Sequence, residues 1–379
     1  MLSFWERESF TRYHLLVIGS GIVGLSTAIA YRQLNPTHSV AILERGLLPT
    51  GASTKNAGFA CIGSPTELLS DLQTMPTHKV VELVALRHKG LAILRNRLGD
   101  AAIDYRQEGS YEILRQEELL CLDKLTELNE LLYPVLGGNA YSVAPQQLRE
   151  QFGFSPHFAR AMVISHFEGQ IDTGKMMQAL LHDAQKQGIT ILSGAEVTAF
   201  SDAGSSVQVQ VTQLPFTHSI TLRAAKLAVC TNAFTPSLLP QVPLEPGRGQ
   251  VIVTHPVANL PFKGIFHFDE GYYYFRNFGN RIIFGGGRNL SFAAENTTEL
   301  TTTEHIINNL THKLREDILP HTPVQIDMQW AGIMAFGQSK FPILEQISPC
   351  VVIGVKLSGM GVAIGSALGE QIAQMLNAG

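Results

Sequence analysis

Apolar positions along the chain fall into runs of two different periods. "HLLVIG" (14–19) is apolar without interruption, as a parallel strand covered on both faces is. "IVGLSTAIAYRQLN" (22–35) follows with Ile22, Leu25, Ile29 and Leu34 near helical spacing, and it stops at Asn35-Pro36. "SVAILE" then reads as a second buried strand that ends on Glu44. Beyond Gly63 the period lengthens. "HKVVELVALRHKGLAILRNRLG" and "QEELLCLDKLTELNELLYPVLG" predict amphipathic helices, with a strand pair in "IDYRQEGSYEILR" between them. "GQIDTGKMMQALLHDAQKQGITILSGAEVTAF" predicts a helix capped by Asp172 or Thr173 and ended at Gly188, then a strand. "SVQVQVTQ" and "SITLRAAKLAV" alternate as strands, and "DEGYYYFRNFGNRIIFGGGRN" reads as a hairpin turning at Gly279-Asn280. A polar helix spans about 303–318, and "CVVIGVKLSGMGVAIGSALG" closes the chain as strand, turn and buried helix. Lys356 and the central glycines of that last run argue against a membrane span.

The order of helices and strands is mixed, not a regular βαβ repeat. It predicts an α/β (α+β mixed) fold: a Rossmann-like cofactor-binding domain, as the motifs below argue, interrupted by an antiparallel-sheet substrate domain. The expected segments are 1–75, 155–235 and 325–379 for the first, and 76–154 and 236–324 for the second. Hydrophobic residues make up 45% of the 379 and charged residues 16%, enough for a large core. The net charge of −4 carries no basic block, which excludes nucleic acid as an expected partner. Cys61, Cys121, Cys230 and Cys350 are far apart and show no metal spacing. They read as reduced core thiols of a cytoplasmic protein, with no metal expected.

Gly19, Gly21 and Gly24 sit between the first strand and the first helix, with Ile22 and Val23 opening the helix. In a dinucleotide fold Gly19 makes the tight turn, Gly21 admits the pyrophosphate, and Gly24 lets helix and strand pack closely. The helix N-terminus favours the negative charge, and Glu44, followed by Arg45, accepts ribose hydroxyl bonds. NAD and FAD share that half. The loop "RGLLPTGASTKNAGFACIG" separates them, because a compact NAD domain would begin a helix there. Ser53, Thr54, Lys55, Asn56, Ala57 and Gly58 can line a longer cofactor, although an ordinary surface loop has the same composition.

Several separated stretches together resemble the FAD-dependent oxidoreductases of the D-amino acid oxidase, glycine oxidase and sarcosine oxidase group, end to end. They are "VIGSGIVGLSTA", "GASTKNAGFA", "GQIDTGKMMQAL", "GAEVTAF", "KLAVCTNAF", "PGRGQV", "YYYFRN…RIIFGGGRN", "WAGIMAFGQSKFPIL" and "LSGMGVAIGSALGEQIA". The "GASTKNAG" loop and Trp5 look most like the branch with γ-glutamylputrescine oxidase-type enzymes. The resemblance implies FAD, held at Gly19 to Glu44 and wrapped by Ser53 to Gly58. It places the Val197 backbone at the adenine and Thr231 and Asn232 near the diphosphate. Gly332 and the turn Gly359, Met360, Gly361 and Val362 then meet the isoalloxazine edge. It also implies oxidation of a C–N bond of an amine or amino-acid-like substrate, with O2 or a carrier as electron acceptor.

The substrate side departs from the group's pattern. "WAGIMAFG" puts Met334 where amino acid oxidases often have a carboxylate-clamping arginine. Tyr272 falls where a substrate tyrosine stands, and Arg288 falls on the facing strand, either at the pocket or on the surface. Tyr274 shares the face of Tyr272, with Tyr273 and Arg276 expected opposite, and a plain aromatic core stripe explains the tyrosines almost as well. Ile283 replaces the lysine used for oxygen chemistry in sarcosine oxidases. No cysteine or histidine near "GQSKFP" offers a tether, so the FAD is expected to be non-covalent; His14 before the first strand is an improbable link. The rival readings are a 2-hydroxy acid oxidoreductase with His255 or His267 as base, and a flavoprotein without an amine substrate, such as a tRNA-modifying flavin partner.

Overall fold

The computed structural model describes residues 2–213 and 219–378. The uninterrupted apolar strands do pair in parallel. Val351–Val355, Ser219–Val229, Arg12–Ile18, Val40–Glu44 and Thr190–Ser193 lie side by side in that order. Both faces are buried, so Leu15 and Val17 join one core while Leu16 and Ile18 join another. Ile343–Ser348 adds an antiparallel edge, and Ala195–Asp202 with Val207–Gln213 extends Ser219–Val229 as an antiparallel ribbon.

The second sheet has eight strands, ordered from Ile326–Phe336 through Glu245–Thr254, Arg281–Gly286, Tyr273–Phe278, Ile265–Phe268, Ser110–Leu114 and Ala161–Ser165 to Tyr141–Val143. All neighbours are antiparallel except Ile265–Phe268 with Ser110–Leu114. Alternation divides its residues. Phe266, Phe268, Tyr273, Phe275 and Phe284 enter an aromatic core with Phe154 and Phe262, covered by the helix Glu304–Lys313. His267 and Tyr274 face the other way.

Three expectations change. "IDYRQEGSYEILR" holds one strand, Ser110–Leu114, preceded by a helical turn and a single bridge from Arg106 to Gln170. The run 116–136 breaks into a 3-10 helix, Gln116–Lys124, and an α-helix, Leu125–Leu136. Sheet membership also crosses the expected segment limits: Ala161–Ser165 and Ile326–Phe336 belong to the second sheet, and the helix Thr77–Leu98 packs into the core of the first. Asp172 is the cap of the helix Thr173–Lys186, through a bond accepted from the Lys175 N–H at 2.9 Å, and Gly188 follows its end at φ 74°.

Glycines set the depth of the helical layer. The last helix, Gly361–Ala378, lies on Ile22–Leu34, where a Cβ on Gly365 would be 2.7 Å from an Ile22 methyl. Thr77–Leu98 crosses the same helix at Gly90, whose Cβ would overlap the Ala363 carbonyl oxygen. Gly90→Ala should gain up to about 1 kcal/mol of helix propensity, yet overpacking against backbone costs about 1–3 kcal/mol. A thermal melt should therefore show a lower Tm for the variant; an unchanged or higher Tm would show that the two helices separate without cost.

Candidate active site

The turn after Arg12–Ile18 opens a cavity of about 710 Å³ that runs from the first sheet to the second. Gly19 has φ 101°, and a Cβ there would meet the Cys230 carbonyl oxygen at 2.8 Å. Gly21, Ile22 and Val23 line this end, with Glu44, Arg45, Val197, Thr231 and Asn232 around it. Gly24 does not line it; the residue lies on the helix underside, where a Cβ would overlap the Gly19 carbonyl oxygen. Glu44 has a second task unseen in the sequence. Its Oε2 accepts the Ser20 N–H at 3.1 Å and the Ser20 hydroxyl at 2.7 Å, and its Oε1 accepts the Gly46 N–H at 2.9 Å. The Arg45 guanidinium stacks 3.8 Å from the Phe234 ring centroid.

The loop after Glu44 forms the middle wall. Ser53, Lys55, Asn56 and Ala57 line the cavity from a short helix, Ala52–Lys55, and the residues after it. Thr54 and Gly58 do not. The Thr54 hydroxyl turns away to the Pro49 carbonyl at 2.6 Å, and Gly58, at φ 81°, lies beneath Arg276 and Ile171. Asn56 ties the loop together: it donates to the Ser53 carbonyl at 2.8 Å and accepts the Gly58 N–H and the Thr173 hydroxyl, each at 2.9 Å. The Trp330 indole donates to the Lys55 carbonyl at 2.9 Å, which brings Gly332 and Met334 of the same strand to the cavity. Arg276 shares the face of Tyr274, contrary to expectation, since both are even-numbered on one strand. Its Nη1 donates to the Gly58 carbonyl at 2.8 Å and the Ile171 carbonyl at 2.6 Å. Burial with carbonyls in place of a carboxylate brings its pKa down to about 10, so it stays charged at neutral pH.

At the far end Gly359, Met360, Gly361 and Val362 line the cavity ahead of the last helix. Asn232, at φ 47°, accepts the Lys356 N–H at 3.1 Å and so couples this turn to the Gly19 end. The Met334 sulfur lies 3.7 Å from where a Gly359 Cβ would stand. Tyr272 and Tyr274 both line the wall. Tyr272 lies just outside its strand and is half-exposed, whereas burial raises the Tyr274 phenol to about 12. Arg288 lines the cavity too, but from a 3-10 turn, Arg288–Leu290, after the strand ends at Gly286. Its guanidinium lies 4.2 Å from the Phe336 centroid and 5.0 Å from that of Phe292. Nη2 reaches Asn296 at 3.4 Å, while the buried Nε has no partner among the described residues.

Ile283 does not line the cavity; Lys55 and Lys340 do. Lys340 sits 2.9 Å from Glu67 and 2.7 Å from Asp71. Burial pushes Glu67 up, but the Arg87 and Lys340 cations outweigh it and bring the carboxyl to about 2. His255 does not line the cavity and lies against Asp327, and His14 is exposed beside Ser39. His267 lines the cavity, its ring 5.1 Å from Phe59, and burial lowers its pKa, leaving a neutral imidazole. Cys61 is more than a core filler. Its Sγ is 3.4 Å from His267 Nε2, with Glu168 alongside. Neither Cys61 nor Glu168 was legible as a site residue, because segments about a hundred positions apart or more meet there.

Comparison with known proteins finds the same fold elsewhere. A curated glycine oxidase of Geobacillus kaustophilus (strain HTA426) is 22% identical over 346 residues, covering 88% of this chain and 84% of the relative. The structure of L-proline dehydrogenase from P. horikoshii superposes with a TM-score of 0.77 at 18% identity, over 97% of this chain and 94% of that one. An L-amino acid deaminase from Proteus vulgaris gives 0.75 at 15% identity, over 97% and 94%. Among the described residues no helix is long and apolar enough to cross a membrane. Residues 14–375 match the DAO family model, described as FAD dependent oxidoreductase, and the chain belongs to that family.

Proposed function

We propose that the protein oxidises a C–N bond of an amine or amino-acid-like compound in the cytoplasm, with non-covalent FAD in the cavity described above. The observation that carries this reading is that one cavity joins a nucleotide-type turn to a wall of Tyr272, Tyr274, Met334 and Arg288. The residues fit the cofactor: backbone at Gly19 and Gly21 lies open where a Cβ would be crowded, and no cysteine but Cys61 and Cys230 lines the wall. When bound, FAD supplies the hydride acceptor for the carbon next to nitrogen. The chain's own part is binding and orientation. Gly19, Gly21, Glu44, Arg45, Val197, Thr231 and Asn232 take the ADP half, and Ser53 with Lys55 to Ala57 take the middle. Gly332 and Gly359 to Val362 take the ring end, where the N-terminus of the last helix favours negative charge. Thr54, Gly24 and Gly58 support these residues from behind. The reading keeps the chain with the γ-glutamylputrescine oxidase-type branch on its "GASTKNAG" loop; Trp5, 74% exposed on the helix Phe4–Phe10, adds nothing to the cavity.

A second reading is oxidation of a 2-hydroxy acid, favoured by the neutral imidazole of His267 and the cation of Arg288 on the same wall. Anaerobic bleaching of the flavin across amines, amino acids and hydroxy acids separates the two. Amines should bleach it; reduction by hydroxy acids alone would replace the first reading with the second.

Two variants test the residues. Charged acceptors are worth about 1.5–3 kcal/mol and neutral ones about half that, so Glu44→Ala should weaken FAD binding more than Glu44→Gln does. An alanine variant with wild-type FAD affinity in a fluorescence titration would remove Glu44 from the cofactor site. On the substrate side, a simple α-amino acid carries its carboxylate on the carbon that gives up hydride. Met334 offers that carboxylate no charge, and an unpaired buried carboxylate costs several kcal/mol. Glycine and D-alanine should therefore be poor substrates, and longer amines with an anionic end at Arg288 better ones. Arg288→Ala should raise KM for such an amine roughly 10- to 100-fold with kcat little changed. Efficient D-alanine oxidation by the wild type, or an unaffected variant, would refute the assignment.

A further inference from the structure

We propose that Cys61, Glu168 and His267 form a binding site for a zinc-class divalent cation, open to the substrate end of the cavity. Three elements deliver the donors. Phe59–Ala60 pairs antiparallel with Gly169–Gln170, with Ala60 opposite Gly169, so the next residues out on the two strands are Cys61 and Glu168. His267 comes from Ile265–Phe268 of the second sheet. The Sγ, imidazole nitrogen and carboxylate oxygen all lie within 4.8 Å of one another, and Sγ to Nε2 is 3.4 Å. Zinc bonds of about 2.3 Å to sulfur and 2.0–2.1 Å to nitrogen in a tetrahedron require roughly 3.6 Å between those atoms. The pair is already at that spacing.

Glu168 is held as a ligand's supporting groups hold it. Its Oε1 accepts the Ile62 N–H at 2.8 Å and the Gly63 N–H at 3.0 Å, and its Oε2 accepts the Ser110 hydroxyl at 2.6 Å, which leaves Oε2 a lone pair. Cys61 and His267 both line the cavity, so an ion held between them borders it and leaves its fourth coordination position on that side. Three protein donors and one open position is the pattern of a reactive or regulatory zinc site, not of a closed structural one. One thiolate, one imidazole and one carboxylate select zinc or cobalt over magnesium and calcium. Binding exchanges the Cys61 S–H proton for the metal and releases it to solvent, with no change of oxidation state. An S–H to imidazole hydrogen bond is the competing account of the same contact.

The test uses full-length, FAD-loaded protein stripped of metal with a chelator. Zn2+ is titrated against a chromophoric competitor, and Co2+ is added separately as a spectroscopic probe. The site predicts about one Zn2+ per chain, no displacement by Mg2+, and a near-ultraviolet thiolate-to-Co2+ band. Cys61→Ser and His267→Gln should each lose at least about 100-fold in Zn2+ affinity, the upper end of what loss of a supporting residue alone costs, and Cys61→Ser should lose the band. Cys121→Ser, at a buried thiol that does not line the cavity, should keep both. Retained flavin absorbance shows that each variant is folded, and the wild-type Co2+ spectrum decides the matter if one is not. No zinc binding by the wild type, binding that survives both variants, or Co2+ bound without the thiolate band would overturn the site and leave the hydrogen bond. None of these readouts depends on which substrate the protein oxidises.

Discussion

The site depends on the strand Arg12–Ile18 ending in a turn that no side chain can enter. At Gly19 the backbone takes φ 101° and passes beside the Cys230 carbonyl, and Gly24 stacks under it. A β-carbon at either point would push the helix Ile22–Leu34 off the sheet, and with it the helix Gly361–Ala378 that packs on it. The same closeness that compacts the layer leaves bare backbone facing the cavity. Compactness and the nucleotide contact proposed for this turn therefore have one cause.

The second sheet is held against the first through segment 55–66, and polar groups buried with their partners do the holding. Arg276 binds two carbonyls, Trp330 binds the Lys55 carbonyl, and Glu168 takes two backbone N–H groups. Glu112 accepts the Ser64 hydroxyl at 2.7 Å and the Thr66 N–H at 3.1 Å, capping the stretch where the helix Pro65–Thr74 begins. Removing one partner of such a contact strands the other, at about 1–3 kcal/mol and more for a charge. These bonds fix the middle wall between the Gly19 end and the Tyr272 end of the cavity, so they set the distance between the two.

The parallel strands, the glycine turn and the final strand-turn-helix were legible because continuous apolar runs and fixed glycine spacings are local signals. Most residues expected to hold the cofactor, some from these signals and the rest from the family resemblance, line the cavity; Gly24, Thr54 and Gly58 do not, because a helix underside and a turning loop point them away in a manner that composition does not reveal. The strand expected within 103–109 is absent for a different reason: after the helical turn Asp100–Ile103 the chain runs irregularly to Ser110, with a single bridge from Arg106 to Gln170. Strand parity places Arg276 on the face of Tyr274, opposite to the expected one, where it reaches the Gly58 carbonyl. Arg288 reached the cavity from a turn instead of a strand, since Gly286 and Gly287, both at positive φ, end the hairpin early. Cys61, Glu168 and His267 were invisible as a group, because only the pairing of Phe59–Ala60 with Gly169–Gln170 and its packing on the second sheet bring them together.

The central claim is that the cavity holds FAD by non-covalent contacts, and flavin content after denaturation tests it most directly. Purified protein should be yellow, and acid should release about one FAD per chain into the supernatant, leaving a colourless polypeptide. A native protein that is colourless and takes up no FAD, or flavin that stays with the precipitated chain, would contradict the account.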